Sequence, residues 1–217
     1  SHNYVETSRV EAQAGKEGSI TYTCTNCGDS FKISIPAIDP TNSTKSILLI
    51  QDTLPWAEDV NRDLLNKLKK QETIAYYNII TTKDLETVDL TKYAVVFIAN
   101  DQTTSMYNRL ETYREKLANY ANIGGILVYG VCDNGWGGCG EFTSSLPGGV
   151  TTNNYYSVHN YILNDNHPIV SGVYTDNKEL TNELLKGNYC SHTYFNSSSL
   201  VDNTNIILMD GNANPTL

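Results

Sequence analysis

Gly124-Gly125-Ile126-Leu127-Val128-Tyr129-Gly130-Val131-Cys132-Asp133-Asn134-Gly135 is the stretch on which the fold turns. Paired glycines suit the left-handed residue that closes a helix, an apolar run follows without alternation, and a glycine-bounded turn then delivers a cysteine. An unbroken apolar run of strand length fits a strand covered on both faces, as in a parallel sheet. Ile47-Leu48-Leu49-Ile50 and Ala94-Val95-Val96-Phe97-Ile98-Ala99 repeat the pattern, and a further strand is expected from about Ala75 to Ile80. Between them, Trp56, Val60, Leu64, Leu65 and Leu68 recur at helical spacing, with Thr53 and Pro55 marking the start. Met106, Leu110, Tyr113 and Leu117 do the same after the third strand. Strands alternating with amphipathic helices predict βαβ units, right-handed crossovers and a mainly parallel sheet, hence one α/β domain over residues 46–217.

The two ends read differently. Residues 1–40 hold strand-like stretches at 19–23 and 31–35 on either side of Cys24-Thr25-Asn26-Cys27-Gly28, which predicts a small β-hairpin module with a cysteine turn. Residues 36–46, with two prolines among Thr, Asn and Ser, read as a linker. From Gly130 to about Ser171 the chain is rich in Gly, Asn and Tyr, so a long irregular excursion is expected, with one strand near 155–158. Asp176 and Glu179 form a capping-box pattern for a helix through Leu184 and Leu185, ended by Gly187. A last strand is expected at 206–209, and Asp210 to Pro215 reads as a turn toward another strand, so the domain is expected to be truncated at its carboxyl end.

The 217 residues carry a formal net charge of -9 with only 18% charged side chains. That balance excludes a nucleic-acid partner, because phosphate binding needs clustered Lys and Arg. The basic group Lys67, Lys69 and Lys70 sits where it complements a helix C-terminus. No apolar run reaches the roughly 18 residues that cross a bilayer. No leader pattern is present, yet the sparse charge and abundant Asn, Thr and Tyr match exported bacterial surface proteins, so an internal piece of an extracellular protein is expected.

In open parallel sheets ligands bind beyond the carboxyl ends of the strands. The candidate binding residues are therefore Asp52 after the first strand, Asn100 and Asp101 after the third, and Cys132, Asp133, Asn134 and Trp136 after the fourth. Asp101-Gln102-Thr103-Thr104-Ser105 also fits the Asp-x-Thr-x-Ser pattern of a metal-dependent adhesion site, but such sites follow the first strand of their domain, and Thr103, Thr104 or Ser105 as a helix N-cap is the preferred reading. Cys24 and Cys27 allow a zinc knuckle or a local disulfide; two thiolates are half of a tetrahedral site, so zinc needs partners such as His2. No other cofactor is expected. Trp56, Trp136 and the tyrosines at 155, 156 and 161 could form an aromatic platform for a sugar.

The Gly-Gly-Ile-Leu-Val-Tyr-Gly-Val-Cys-Asp-Asn-Gly stretch resembles the strand and nucleophile turn of class I glutamine amidotransferase-like domains. Asp165-Asn166-His167-Pro168-Ile169 is similar to a motif of the trehalose-utilisation-type branch of that superfamily. The resemblance implies a flavodoxin-like three-layer sandwich and, by position, Cys132 as nucleophile with His167 as a candidate base. This chain departs from the pattern: no apolar helical period follows Cys132, and the late His-x-Glu element of working enzymes is missing. Cys139 offers Cys132 a disulfide partner, and Cys190 reads as a buried thiol. His2 to Pro36 resembles a short repeat of secreted Gram-positive proteins in which a further Cys stands near the position of Ala14. The expected function is a non-catalytic, amidotransferase-like domain of an exported multidomain protein, binding a small molecule, carbohydrate or protein. A Cys132-dependent hydrolase or amidase and a cation-dependent adhesion module are the alternatives.

Overall fold

A computed structural model describes residues 2–10, 17–35, 45–132, 145–172, 179–200 and 205–217. The chain divides into two compact units, one of Ser1–Asp52, Asp59–Ala99 and Glu115–Tyr129, the other of Thr53–Glu58, Asn100–Arg114 and Gly130–Leu217. Among the described residues no helix is long and apolar enough to cross a membrane.

The first unit opens with an antiparallel sheet, β1 (Tyr4–Val10), β2 (Gly18–Cys24) and β3 (Ser30–Ile35), in the order β1-β2-β3. The expected hairpin is therefore three-stranded. Strand β1 escaped the sequence reading because all of its residues are exposed, leaving no apolar alternation to see. Its register with β2 sets Tyr4 against Cys24 and is interrupted by a bulge between Glu6 and Ser8. Tyr4 packs edge-on to Phe31 at 4.9 Å, and Phe31 stacks on Tyr22 at 5.4 Å. The β2–β3 turn needs Gly28 at φ 77°, and closes through Gly28 N–H to Cys24 O at 2.9 Å and Cys24 N–H to Asp29 O at 2.7 Å.

Next come β4 (Ser46–Ile50), β5 (Tyr76–Ile80), β6 (Val95–Ile98) and β7 (Ile126–Tyr129), all parallel in the order β5-β4-β6-β7. Helix α1 (Val60–Lys70) packs through Leu65 and Leu68 against Leu49, Ile74, Phe97 and Ala99. It begins later than Thr53 and Pro55 suggest. Trp56 and Ala57 adopt φ 50° and 60°, a left-handed kink that a helix cannot pass through. Trp56, Val60 and Leu64, expected on the packed face, are exposed. Strand β7 also differs from expectation: it ends the sheet order, and Ile126 and Val128 are exposed, so its apolar run does not denote burial on both faces.

The helical stretch after the third strand is in two pieces, α2 (Thr104–Thr112) in the second unit and α3 (Arg114–Asn122), which belongs to the first unit from Glu115 onward. Tyr113 N–H bonds Leu110 O at 3.0 Å, the tight spacing that closes a helical turn. After α3, Gly124 at φ 95° and Gly125 end the helix with N–H bonds to Ala121 O and Tyr120 O. Burial pushes the Tyr120 hydroxyl up to about 12; it donates to Tyr93 O and to Ile126 O.

The second unit is built on an antiparallel sheet of β8 (Thr152–Ile162), β9 (Lys186–Phe195) and β10 (Leu208–Asp210), in the order β10-β8-β9. The expected excursion thus contains a long strand. Leu184 and Leu185 lie in a single 3-10 turn, Asn182–Leu185, and Gly187 sits within β9 instead of ending a helix. Asp176 of the expected capping box lies outside the described residues. The short helix α4 (Pro168–Ser171) places Val170 against Ile207, Leu208, Ile162, Leu180 and Leu185.

Candidate functional site

An imidazole and two thiols meet at the cysteine turn. Because β1 pairs with β2 in a register that sets Tyr4 opposite Cys24, residue 2 arrives beside the knuckle. His2 Nδ1 lies 3.3 Å from Cys27 Sγ, and the ligating atoms of His2, Cys24 and Cys27 all fall within 4.8 Å of one another. The loop holds them there: Thr25 N–H bonds Asn3 O at 3.0 Å, and the His2 ring stacks on Tyr4 at 5.5 Å. Cys24 is 2% exposed, whereas Cys27 and His2 are exposed. Burial pushes the Cys24 thiol up, but the backbone N–H of Asn26 and Asn3, the His2 ring and the N–H of Cys27 outweigh it, leaving the pKa at about 6. One of these bonds is Asn3 N–H to Cys24 Sγ at 3.4 Å. The two cysteines are not joined as a disulfide.

At the strand ends, the acids are engaged by the fold itself. Within the first unit Asp52 Oδ1 accepts from Thr82 N–H at 2.7 Å, and Thr82 Oγ1 donates to both carboxylate oxygens at 3.0 and 2.8 Å. Thr82 is fully buried at the start of a 3-10 turn, so Asp52 ties that turn to the end of β4. Gln51 accepts from Asn61 Nδ2 at 2.8 Å.

In the second unit Asp101 sits at φ 56° and is 7% exposed. Its Oδ2 accepts from Trp56 N–H, and its own N–H donates to Cys132 O at 2.7 Å. Asn100 lends its carbonyl to Gln102 Nε2 at 2.9 Å. The fully buried Gln102 also donates to Thr53 O and accepts from Thr53 N–H, at 2.9 and 3.0 Å. Thr103 caps α2 by accepting from Met106 N–H, and Ser105 Oγ accepts from Arg109 at 2.8 Å. Tyr107 donates to Cys132 O at 2.9 Å. His167 caps α4, its Nδ1 accepting from Ile169 N–H at 3.3 Å. Asp133, Asn134, Trp136 and Cys139 lie outside the described residues.

The structure thus brings His2, Cys24 and Cys27 together, and joins Asp101 to the Cys132 backbone. Sequence reasoning missed Thr82, Gln102 and Tyr107, which hold the strand ends. Tyr107, adjacent to Met106 on the apolar face of α2, gave the clearest signal, since a buried tyrosine needs a partner for its hydroxyl.

No protein-family model matches the chain. An uncharacterised protein of Clostridium acetobutylicum is 28% identical over 191 residues, which is 88% of this chain and 18% of that protein. The chain therefore spans under a fifth of the length of the relative it matches.

Proposed function

We propose that this chain is a non-catalytic binding part of a longer, exported bacterial protein, in which a zinc-organised β module precedes an α/β domain of the amidotransferase-like, flavodoxin-type class. The observation that carries the non-catalytic reading is the hydrogen bond from Ile169 N–H to His167 Nδ1. An Nδ1 that accepts this bond leaves Nε2 as the protonated nitrogen of the neutral tautomer, so the one ring lone pair is engaged in capping α4 and is not offered to a thiol. The carboxylates of Asp52 and Asp101 are likewise hydrogen-bonded to backbone N–H groups. The sheet order β5-β4-β6-β7 supports the flavodoxin-type class, being the first four positions of the 2-1-3-4-5 order. The match to a small part of a much longer clostridial protein supports the modular, bacterial reading.

One imidazole and two thiolates supply three of the four donors of a tetrahedral zinc site, with the fourth position open to a water or a further ligand. His2, Cys24 and Cys27 would hold the ion, which would supply cross-linking of the β1 end to the β2–β3 turn. Such a cross-link would reinforce a small sheet that leaves Val5, Val10, Phe31 and Ile33 exposed.

Iodoacetamide alkylation of Cys132, followed by peptide mapping across pH 5–9, tests the non-catalytic reading. Slow modification that rises only toward the ordinary thiol range, and is unchanged in His167→Gln, is expected. Rapid modification near neutrality that the His167→Gln variant abolishes would establish a thiol–imidazole pair and an enzyme.

A further inference from the structure

Cys24-Thr25-Asn26-Cys27 places two thiols in one short turn that the backbone closes at both ends. Cys24 N–H donates to Asp29 O at 2.7 Å, Gly28 N–H donates to Cys24 O at 2.9 Å, and Gly28 at φ 77° lets the chain reverse. The two sulfurs lie within 4.8 Å of each other and are not bonded. A disulfide closes such a separation to about 2 Å. Both partners sit on the same loop, so side-chain rotation can bring them together without unpairing β2 from β3.

The sulfurs differ in what can reach them. Cys27 is exposed, and His2 Nδ1 stands 3.3 Å from its Sγ. Cys24 ends β2, is 2% exposed, and takes the N–H of Asn3 on its Sγ at 3.4 Å. A dissolved disulfide has to bring one of its sulfurs into contact with the attacking thiolate, so approach is open at Cys27 and closed at Cys24. Once Cys27 carries half of that disulfide, Cys24 needs no access to solvent, because its target is already within reach. An exposed thiol beside a buried one thus suits thiol–disulfide exchange, one sulfur engaging the substrate and the other resolving the mixed disulfide.

We propose that Cys27 and Cys24 form a thiol–disulfide exchange site whose substrate is a low-molecular-weight disulfide, R–S–S–R, and that zinc competes with oxidation for the pair. The Cys27 thiolate attacks one sulfur of R–S–S–R, forming Cys27–S–S–R and releasing the first R–S⁻. The Cys24 thiolate then attacks Cys27 Sγ, breaking its bond to the R–S sulfur and releasing the second R–S⁻. The two protons given up by the cysteines go to the two released thiolates. Two electrons thereby pass from the cysteine pair to the substrate, and one disulfide replaces another. The reaction is stoichiometric, so it adds no turnover to the non-catalytic reading. The competition rests on the zinc reading above: both thiolates are ligands in the metal-bound state, and a disulfide leaves only His2 of the three donors.

The test uses the full chain, reduced and freed of metal with EDTA, and glutathione disulfide as the probe. Products are read by intact mass and non-reducing peptide mapping. A Cys24–Cys27 bridge with release of two glutathiones per chain is expected. Cys24→Ser should stop at a Cys27–glutathione mixed disulfide. In Cys27→Ser, Cys24 should react roughly tenfold or more slowly than Cys27 does in Cys24→Ser, since the remaining thiol is buried. One equivalent of Zn²⁺ should slow bridge formation in the wild-type chain by about tenfold or more, and circular dichroism checks the fold of each variant. The proposal is overturned if the metal-free wild-type chain gains no Cys24–Cys27 bridge, or if the thiols left in the two variants react equally fast. It is also overturned, with the zinc reading intact, if a chain that binds Co²⁺ through Cys24 forms the bridge at the same rate with and without Zn²⁺. A bridge that forms in a chain unable to bind Co²⁺ or Zn²⁺ would support the exchange site and overturn the zinc reading alone.

Discussion

Asp101→Ala distinguishes a structural carboxylate from a ligand. Asp101 occupies a left-handed conformation at φ 56° and is 7% exposed. Its carboxylate accepts the N–H of Trp56, which itself sits in a left-handed kink. Alanine removes the acceptor, at a cost of about 1–3 kcal/mol for an N–H left without a partner. It also gives up the tolerance that Asp has over Ala for the left-handed region, worth a further ~0.5 kcal/mol. The variant should lose about 2 kcal/mol, or roughly 4–8 °C in melting temperature for a chain of this size. Asp101→Asn keeps an acceptor oxygen and tolerates the conformation, so it should lose less than about 1 kcal/mol. Differential scanning fluorimetry of both variants, with and without Mg²⁺, provides the comparison. The reasoning is refuted if alanine and asparagine are equally harmful, or if Mg²⁺ raises the melting temperature of wild type and not of Asp101→Asn. The second outcome would instead support a metal-dependent adhesion site at Asp101 and Ser105.

A Cβ added at Gly125 would lie well inside contact distance of the Tyr120 ring. Gly125→Ala should therefore displace a buried ring and its hydroxyl bonds, losing about 2 kcal/mol or more in chemical unfolding, while Gly125→Ala/Tyr120→Leu should recover part of that loss. For the module, one equivalent of Co²⁺ should give a thiolate charge-transfer band that Cys24→Ser weakens and Zn²⁺ displaces; a spectrum unaffected by Cys24→Ser would exclude the proposed ligand set. The metal-free module should also respond to pH. Cys24 has a pKa of about 6, below its ordinary 9.0, so the stability it contributes is full above pH 9 and is lost as pH falls through 6. Thermal melts of the metal-free chain at pH 5.5, 7 and 9 measure that trend, and substitution of Cys24 by Ser should flatten it.

The parallel sheet was legible because Ile47–Ile50 and Val95–Ile98 are apolar without alternation, and the pattern survives in their pairing. The same rule overstated β7, since an apolar run gives composition and cannot say whether a neighbour covers both faces. Strand β1 was hidden for the opposite reason: an exposed edge strand needs no apolar periodicity. The kink at Trp56 and Ala57 depends on the hydrogen bond from Trp56 to Asp101, a long-range contact that no local spacing encodes. The cysteine spacing announced the turn at residues 24–28, yet the arrival of His2 beside it depends on the pairing of β1 with β2. At the strand ends the acids at 52 and 101 were visible as ligand candidates, while their partners Thr82 and Trp56 could be assigned only from the fold.

The non-catalytic reading turns on which nitrogen of His167 carries the proton. Long-range ¹H–¹⁵N correlation spectra of the imidazole, recorded at neutral pH on uniformly labelled protein and assigned with His167→Gln, measure this directly. Nδ1 as the hydrogen-bond acceptor, with the proton on Nε2, is the predicted result. A ring protonated on Nδ1, or an imidazolium whose signals shift when Cys132 is replaced by Ser, would contradict it and return Cys132 and His167 to the role of a catalytic pair.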